Sequence, residues 1–369
     1  MPTIHSPRLT RSAGVARAEV SIDEQVLWFE GPDQALLGNL ADAALSACLV
    51  PAMFTGDDIR LDASLRVSSR LLERTHELQT FIHHWFPRTF RTVEIHARHA
   101  PSPPKAARTG SFFSGGVDSL YSLMTHPDVD ALIFVHGIDM QLDNHAQHAQ
   151  VLRANQELAA HFGKTLIPIV SNVRQFITGH GFSWTLGQGG GLSSVAHLLD
   201  LSTVVIPASD AYLALSPYGS HPVIDPMWST ECTHFIHHGM LRRVDKTRVI
   251  ARDPYAIDRL RVCWMDDGYN CGKCFKCLRT MTALRLLGVQ SRAFPPMDPM
   301  QMATIPLYEE GEMDFLVENL ELAVERSDPV MARVLRRRLR EMRGRRILRR
   351  LKRLVLPHQA AGAAARIGR

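Results

Sequence analysis

The sequence has no long apolar run. Its cleanest stretches, such as Ala131–Val135, fall far short of the ~20 residues that cross a bilayer. The first residues (M-P-T-I-H-S-P-R-L-T-R) contain no apolar segment of the kind that opens a secretory leader, so a cytoplasmic address is expected. Cysteine is scarce, and four of the six crowd into fifteen residues, which argues against a disulfide framework spread over the chain. There is no internal repeat, and no low-complexity tract apart from an arginine-rich end, so a solenoid or fibre is excluded. No Gly-Lys-Ser/Thr follows a glycine-rich strand end, so there is no Walker A loop.

What remains is an ordinary globular composition: 369 residues, 45% hydrophobic and 21% charged, enough for two domains or one enlarged domain. The net charge of +5 is uneven. From Met331 onward thirteen arginines and one lysine face a single acid, a net of +13, so residues 1–330 carry about −8. The basic character belongs to the tail, and the body is mildly acidic.

Three segments are expected. Residues 1–104 read as a small α+β accessory domain, with a strand pair at Ala18–Ile22 and Val26–Phe29. Asp33 is a candidate cap for a helix through Ala47, and a helix is expected at Ser69–Trp85. His99–Arg108, with three prolines, reads as a stiff linker. Residues 105–297 alternate apolar strands (Gly110–Phe113, Ala131–His136, Thr165–Val170, Thr203–Pro207) with helices. That pattern implies an α/β fold, a parallel sheet with helices on both faces. Residues 298–369 read as a helical extension. In it Leu335, Leu339, Met342, Leu348, Leu351 and Val355 recur at helical spacing among arginines, interrupted at Gly344. This stripe suits a packing face, an anionic membrane surface, a nucleic acid or a protein partner. An oligomer is compatible with it.

Ser111-Phe-Phe-Ser-Gly-Gly-Val-Asp-Ser119 follows a strand and precedes a helix. Gly115 and Gly116 let the backbone turn sharply and expose amides to an anion. The helix start adds unpaired N–H groups and partial positive charge. Ser114 and Ser119 offer hydroxyls. Asp118 beside a phosphate calls for an intervening cation, and Mg²⁺ is expected there. Cys263, Cys271, Cys274 and Cys277 form C-x7-C-x2-C-x2-C, the pattern of a closed four-thiolate metal site. Zn²⁺ is favoured over a [4Fe–4S] cluster, which also takes four thiolates. Lys273, Lys276 and Arg279 are placed to offset the site's negative charge. Cys48 and Cys232 read as core residues. Gly187–Ser194 reads as a second glycine-rich turn into a helix, either approaching a ligand or simply mobile. His180, His221, His234, His237 and His238 fit no zinc spacing and read as surface or hydrogen-bonded histidines.

The S-G-G-V-D-S loop resembles the PP-loop of the ATP pyrophosphatase superfamily (HUP-like, adenine nucleotide alpha hydrolase-like). With the cysteine quartet, the stretch from about Gly110 to Gly288 resembles the 7-cyano-7-deazaguanine synthase family. Asp245-Lys-Thr247 is similar to that family's T-K-x-E segment, and Cys271–Thr280 followed by Leu287-Gly288 to its C-G-x-C-x-x-C-x-x-R helix. The resemblance implies that Ser114, Gly115, Gly116, Val117, Asp118 and Ser119 hold ATP, with Asp139 meeting the nucleotide or the acceptor. It implies Asp118 and Lys246 as catalytic residues and Mg²⁺ and Zn²⁺ as the metals. The implied reaction is adenylation, AMP and pyrophosphate forming, of a carboxylate-type acceptor that a nitrogen nucleophile then takes. About a hundred residues precede the loop here, unlike in that family. His136–Asp143 and Leu215–Asp225 differ from its D-Y-G-Q-R-H and S-G-Y-P-D-C stretches, so a different acceptor is expected. RNA thiolation, with Cys232 as sulfur relay and the tail as RNA handle, is one alternative. A non-enzymatic nucleotide-binding, zinc-stabilised scaffold is another.

Overall fold

The structure is a computed structural model that describes residues 1–265, 268–306 and 312–355, with side chains as far as 344. The first hundred residues form β1 (Thr3–Ile4), β2 (Arg8–Ser12), β3 (Val15–Ile22), β4 (Gln25–Pro32), α1 (Leu40–Thr55), β5 (Ile59–Leu61), β6 (Val67–Ser68), α2 (Ser69–Trp85), β7 (Ile95–His96) and β8 (His99–Ala100). There follow β9 (Thr109–Phe112), α3 (Val117–Thr125), β10 (Val129–His136), α4 (His145–His161), β11 (Thr165–Ser171), α5 (Val173–Thr178), α6 (Trp184–His197), β12 (Thr203–Pro207) and β13 (His234–His238). Then come α7 (Arg243–Ile250), α8 (Pro254–Ile257), α9 (Phe275–Leu286), α10 (Glu312–Glu325) and α11 (Pro329–Val355).

These elements divide into two compact units. The first comprises Met1–Ser114, Ser122–Ser209 and Leu215–Met240, and the second Gly115–Tyr121, Asp210–Ala214 and the chain from Leu241. The division differs from the segments read off the sequence. No break falls near 104, and one cut lies inside the glycine turn itself.

The first unit is α/β. Its central strands pair in parallel in the order β13–β12–β9–β10–β11. Numbered within this group, that is the order 3-2-1-4-5 of doubly wound nucleotide-binding sheets. The switch point of such a sheet, where ligands bind, lies at the carboxyl end of its first strand, here β9. β10 is buried at all but one of its positions, as a strand covered on both faces must be. Ala131, Ile133 and Val135 join the core under α1, α5 and α6, and α4 packs on β10 and β11.

The N-terminal strands are not a separate domain, because β11 would otherwise be a bare edge. β4 pairs antiparallel with it (Val170 opposite Glu30), and the hairpin partner β3, then β1, β5 and β7, continue one sheet. Side chains reinforce the junction. Asn172 Oδ1 accepts from Trp28 N at 2.9 Å, Asn172 Nδ2 donates to Val26 O at 2.8 Å, and Ser171 Oγ donates to Trp28 O at 2.7 Å. The proline stretch is a pinned strap. Lys105 Nζ donates to His197 O and Leu199 O, and Asp200 Oδ1 accepts from Ala106 N. Helix α1 starts six residues later than Asp33 suggests, capped by Asn39, whose side chain accepts from Ala41 N.

The glycine run Gly187–Ser194 lies inside α6 and is no loop. Its function is close approach. A Cβ on Gly189 would sit 2.0 Å from the Gly219 carbonyl oxygen, and one on Gly190 2.4 Å from that of Ser46 in α1. Helix propensity is sacrificed so that α6 can seat against α1.

The second unit is helical. α7, α9, α10 and α11 pack around Phe275, Leu278, Met302, Leu316, Leu322, Met331 and Leu335. α11 continues through Gly344, and its first half is part of this core: Leu335 and Leu339 are buried, and Arg338 Nη2 donates to Ile305 O at 2.6 Å. The expected extension from 298 is thus built into the unit. Side chains of Leu348, Leu351 and Val355 lie outside the described residues, as do residues 356–369.

Gly189→Ala and Gly190→Ala are expected to destabilise the chain by about 1–3 kcal/mol or more each, because backbone must give way. The urea midpoint measures this. An unchanged midpoint would mean that α6 does not pack this tightly.

Candidate functional site

The chain leaves β9 through Phe113–Gly116 and enters α3 at Val117. Gly115 has φ +73°, the left-handed conformation that glycine takes without strain. Val117 is buried, so only its backbone can face a ligand. Ser119 is buried, and its hydroxyl donates back to Gly116 O at 3.1 Å.

Asp118 is the centre of a buried ion cluster within the second unit. Its Oδ1 accepts from Lys246 Nζ at 2.8 Å, and its Oδ2 pairs with Arg243 Nη2 at 2.8 Å. The Lys246 side chain is fully buried, so it is no solvated lysine of a charged run. Burial pushes the Asp118 carboxyl up, but Arg243 and Lys246 outweigh it and hold it below its ordinary value. Lys246 is lowered by burial despite Asp118. Both carboxylate oxygens are engaged by these two side chains.

Arg279 joins the cluster from α9. It interacts electrostatically with Arg243, Asp118, Glu312 and Glu318, and its guanidinium lies 4.0 Å from the Phe315 ring centroid, with Arg243 5.8 Å from the same ring. This differs from the role expected of it beside the cysteines. Arg261 approaches the turn by its backbone, donating its N–H to Gly115 O at 2.9 Å. Among the described residues Arg243 Nε, Arg279 Nε, and Arg261 Nε and Nη2 are buried without an acceptor. Each such group costs about 1–3 kcal/mol, so a multi-oxygen anion is the chemistry that would satisfy them. Arg261 and Arg279 escaped the sequence reading as anion ligands, and their only sequence signal is position, two residues outside the cysteine quartet.

The quartet itself closes as its spacing predicts. All four Sγ atoms lie within 4.8 Å of one another, with Cys263–Cys274 and Cys271–Cys277 at 3.9 Å. That is too long for disulfides. A tetrahedron with metal–sulfur bonds of about 2.3 Å has edges of about 3.8 Å, so the donor set fits a single ion such as zinc. A cubane cluster holds its thiolates further apart. Without a cation the thiols cannot ionise together: contact with Cys274 favours the Cys263 thiolate, and the Cys274 thiol is pushed up to about 11 by Cys263. Backbone N–H groups of Met265, Cys274 and Cys277 point at the sulfurs. Asn270 ties the knuckle by accepting from Val262 N and Cys263 N. Lys276 Nζ sits over Trp264, 4.2 Å from the ring centroid.

Other expected residues are dispersed. Asp139 is exposed in the turn after β10, at the carboxyl end of β9's neighbour. Cys48 is core, as read. Cys232 is half-buried, its Sγ 3.2 Å from Ser102 O. It precedes β13, at the amino edge of the sheet, the edge opposite Ser114. The histidines are hydrogen-bonded or in ring contact. His180 Nδ1 lies 2.9 Å from Phe176 O, His238 Nδ1 3.0 Å from Ser122 Oγ, and His221 meets the Trp85 ring edge-on. His234 is exposed on β13. Among the described residues the cysteines are the only metal-competent group, and no helix is long and apolar enough to cross a membrane.

No protein-family model, curated protein or solved structure matches this chain.

The purified chain is expected to hold one metal ion, colourless if zinc, by elemental analysis and visible spectrum. Cys277→Ser or chelation should remove the ion and lower the urea midpoint. A metal-free chain of unchanged midpoint would contradict the site. Asp118→Asn should cost about 3–5 kcal/mol, since it strands buried cations. Asp118 is lowered in the fold, so its contribution is full above the unfolded carboxyl value and fades as pH falls through the folded one. Part of the acid limb of a stability–pH curve should therefore vanish in Asp118→Asn. An identical limb would assign acid sensitivity elsewhere.

Proposed function

We propose that this chain is an ATP-dependent adenylating enzyme of the PP-loop ATP pyrophosphatase type, similar in its nucleotide half to 7-cyano-7-deazaguanine synthase but acting on a different carboxylate-type acceptor. The observation that carries the reading is that Arg243 and Arg279, gathered with Lys246 around Asp118, each keep a buried Nε without an acceptor, while Arg261, whose backbone meets Gly115, keeps two such nitrogens. Two further features support it. The turn leaves β9 at the switch point of a 3-2-1-4-5 sheet, and α3 opens directly after it.

In this reading an acceptor carboxylate oxygen attacks the α-phosphorus of ATP, and pyrophosphate leaves. Charge accumulates on the departing phosphates, where turn amides and fixed cations stabilise it more than they stabilise the ground state. Mg²⁺ bound with the nucleotide would add further positive charge beside the phosphates. Lys246, held by Asp118, supplies a positive charge that needs no reorganisation during the reaction. A nitrogen nucleophile then displaces AMP from the activated carbonyl. Cys263, Cys271, Cys274 and Cys277 would hold a structural metal whose part would be to fix Arg261 and Arg279.

The full-length chain with [α-³²P]ATP, Mg²⁺, ammonium and a panel of carboxylates should release AMP. Tight ATP binding without AMP from any acceptor would favour a nucleotide-binding scaffold instead. Arg279→Met should stay within about 1 kcal/mol of the parent in stability, because an apolar side chain replaces a buried ion. Its AMP release should fall about 100-fold or more, the usual loss for one charge-stabilising donor. Unaltered turnover in that variant would remove Arg279 from the phosphate site.

A further inference from the structure

Helix α11 carries two apolar stripes that do not share a face. Its first half divides simply. Met331, Ala332, Val334, Leu335, Arg338 and Leu339 are buried. At about 100° per residue they fall in one arc of about 160°. They pack on α10 and on the 3-10 turn Pro299–Thr304, the core of the second unit. Arg333, Arg336, Arg337, Arg340 and Arg343 are exposed. They occupy the opposite side, an arc of about 120°. Glu341 pairs with Arg337 at 3.0 Å, and among the described residues the other four have no acidic partner.

The phase then changes by half a turn. Ile347, Leu348, Leu351, Leu354 and Val355 fall in an arc of about 120° that overlaps the arc of the exposed arginines. Arg345, Arg346, Arg349, Arg350, Lys352 and Arg353 fall opposite, in register with the buried face of the first half. Gly344 marks the changeover, with open space where a Cβ would stand. The helix is continuous through it, so the two halves keep their register. Leu348, Leu351 and Val355 therefore do not extend the stripe of Leu335, Leu339 and Met342. A stripe whose task was to pack on the unit's own core would have kept the phase of the first half.

We infer that α11 lies along a bilayer surface rich in anionic phospholipid. The stripe Ile347–Val355 enters the acyl boundary, and Arg333, Arg336, Arg340 and Arg343 meet headgroup phosphates on the same side. The inference concerns the second unit alone and is independent of the adenylation reading. Three observations select this occupant. The row of exposed arginines and the second apolar stripe share one side of a helix about 40 Å long, so a single flat surface meets both at once. The helix carries eleven arginines and one lysine against one acid, which calls for a surface of dense negative charge. Arg350 and Lys352 stand at the borders of the stripe, the positions from which long cationic side chains reach headgroups. A second copy of the chain would bring two such charges together. A nucleic acid needs only the cations and leaves the stripe without a use. An amphipathic helix with a broad basic face and a narrow apolar one rests in the interface and does not cross it.

The test uses the full-length chain and flotation with vesicles of phosphatidylcholine alone, or of phosphatidylcholine and phosphatidylglycerol at about 7:3. Binding is expected to the anionic vesicles only. Hydrogen exchange of the amides in 345–355 should slow about tenfold or more when those vesicles are added. Leu348→Glu and Leu351→Glu should each weaken binding about tenfold or more at a parental urea midpoint. Arg336→Gln and Arg340→Gln should each weaken it about fivefold. Failure to bind either vesicle overturns the inference. So does a lowered midpoint in the two glutamate variants, since the stripe would then be a packing face of the fold. Unchanged binding in both glutamate variants also overturns it, because the arginines alone would account for adhesion. Binding of transfer RNA or duplex DNA without vesicle binding would assign the helix to nucleic acid. A dimer that the glutamate variants dissolve, again without vesicle binding, would assign the stripe to a second copy, and either result overturns the membrane assignment.

Discussion

A carboxylate buried among cations is the constraint that organises the second unit. Asp118 gives up water for Lys246 and Arg243, an exchange that holds only while both partners remain in contact. The contacts reach beyond the pair. α7, which carries both cations, is tied to α10 by Arg242–Glu321 at 2.6 Å, by Arg248–Glu325 and by Val244 N donating to Glu318. Arg279 comes from α9, whose N-cap is the metal-site residue Cys274. The position of one guanidinium therefore depends on a four-sulfur knuckle at the other end of a short helical turn. Arg261 is placed in the same way, two residues before Cys263. A metal with no open coordination position would thereby fix two guanidinium groups that it does not touch.

The first unit meets a different constraint, the closure of an exposed sheet edge. A five-stranded parallel core ends in β11, and the N-terminal hairpin supplies its next neighbour. The same hundred residues contribute α1, against which α6 packs so closely that a glycine is required at 190. Sheet extension and helix seating are two halves of one packing solution, which is why no domain boundary appears near residue 104. The prolines that read as a stiff linker between domains instead belong to a strap whose neighbouring donors are taken up by His197 O, Leu199 O and Asp200.

The sequence was most legible where the information is local. The cysteine quartet spans fifteen residues, and its geometry followed from spacing alone. Helix α2 occupies Ser69–Trp85 as its periodicity predicts, and β9 to β12 fall within two residues of the apolar runs. Legibility failed where burial depends on a distant partner. Lys246 sits in a run of charges that reads as a solvated face, and its burial is set by Asp118, 128 residues away. The glycines of α6 read as a loop because their intrinsic preference is non-helical, and tertiary packing overrode it. Helix α11 likewise passes through Gly344, where a single glycine costs about 1 kcal/mol without breaking a helix. His237 looked like one of several scattered histidines, since nothing in the sequence shows that a turn residue twelve positions earlier would reach its ring.

The two units bear different kinds of residual cost. Among the described residues of the second unit the unmet groups are mostly guanidinium nitrogens, which an oxygen-rich anion or water can satisfy, whereas in the first unit they are scattered hydroxyls, amides and ring nitrogens such as Ser46 Oγ, Asn155 Oδ1 and His237 Nε2. A fold selected only for stability would have replaced these groups with apolar side chains of similar volume, at little loss and some gain. Their presence in buried positions is a cost that a bound oxygen-rich anion or ordered water would relieve.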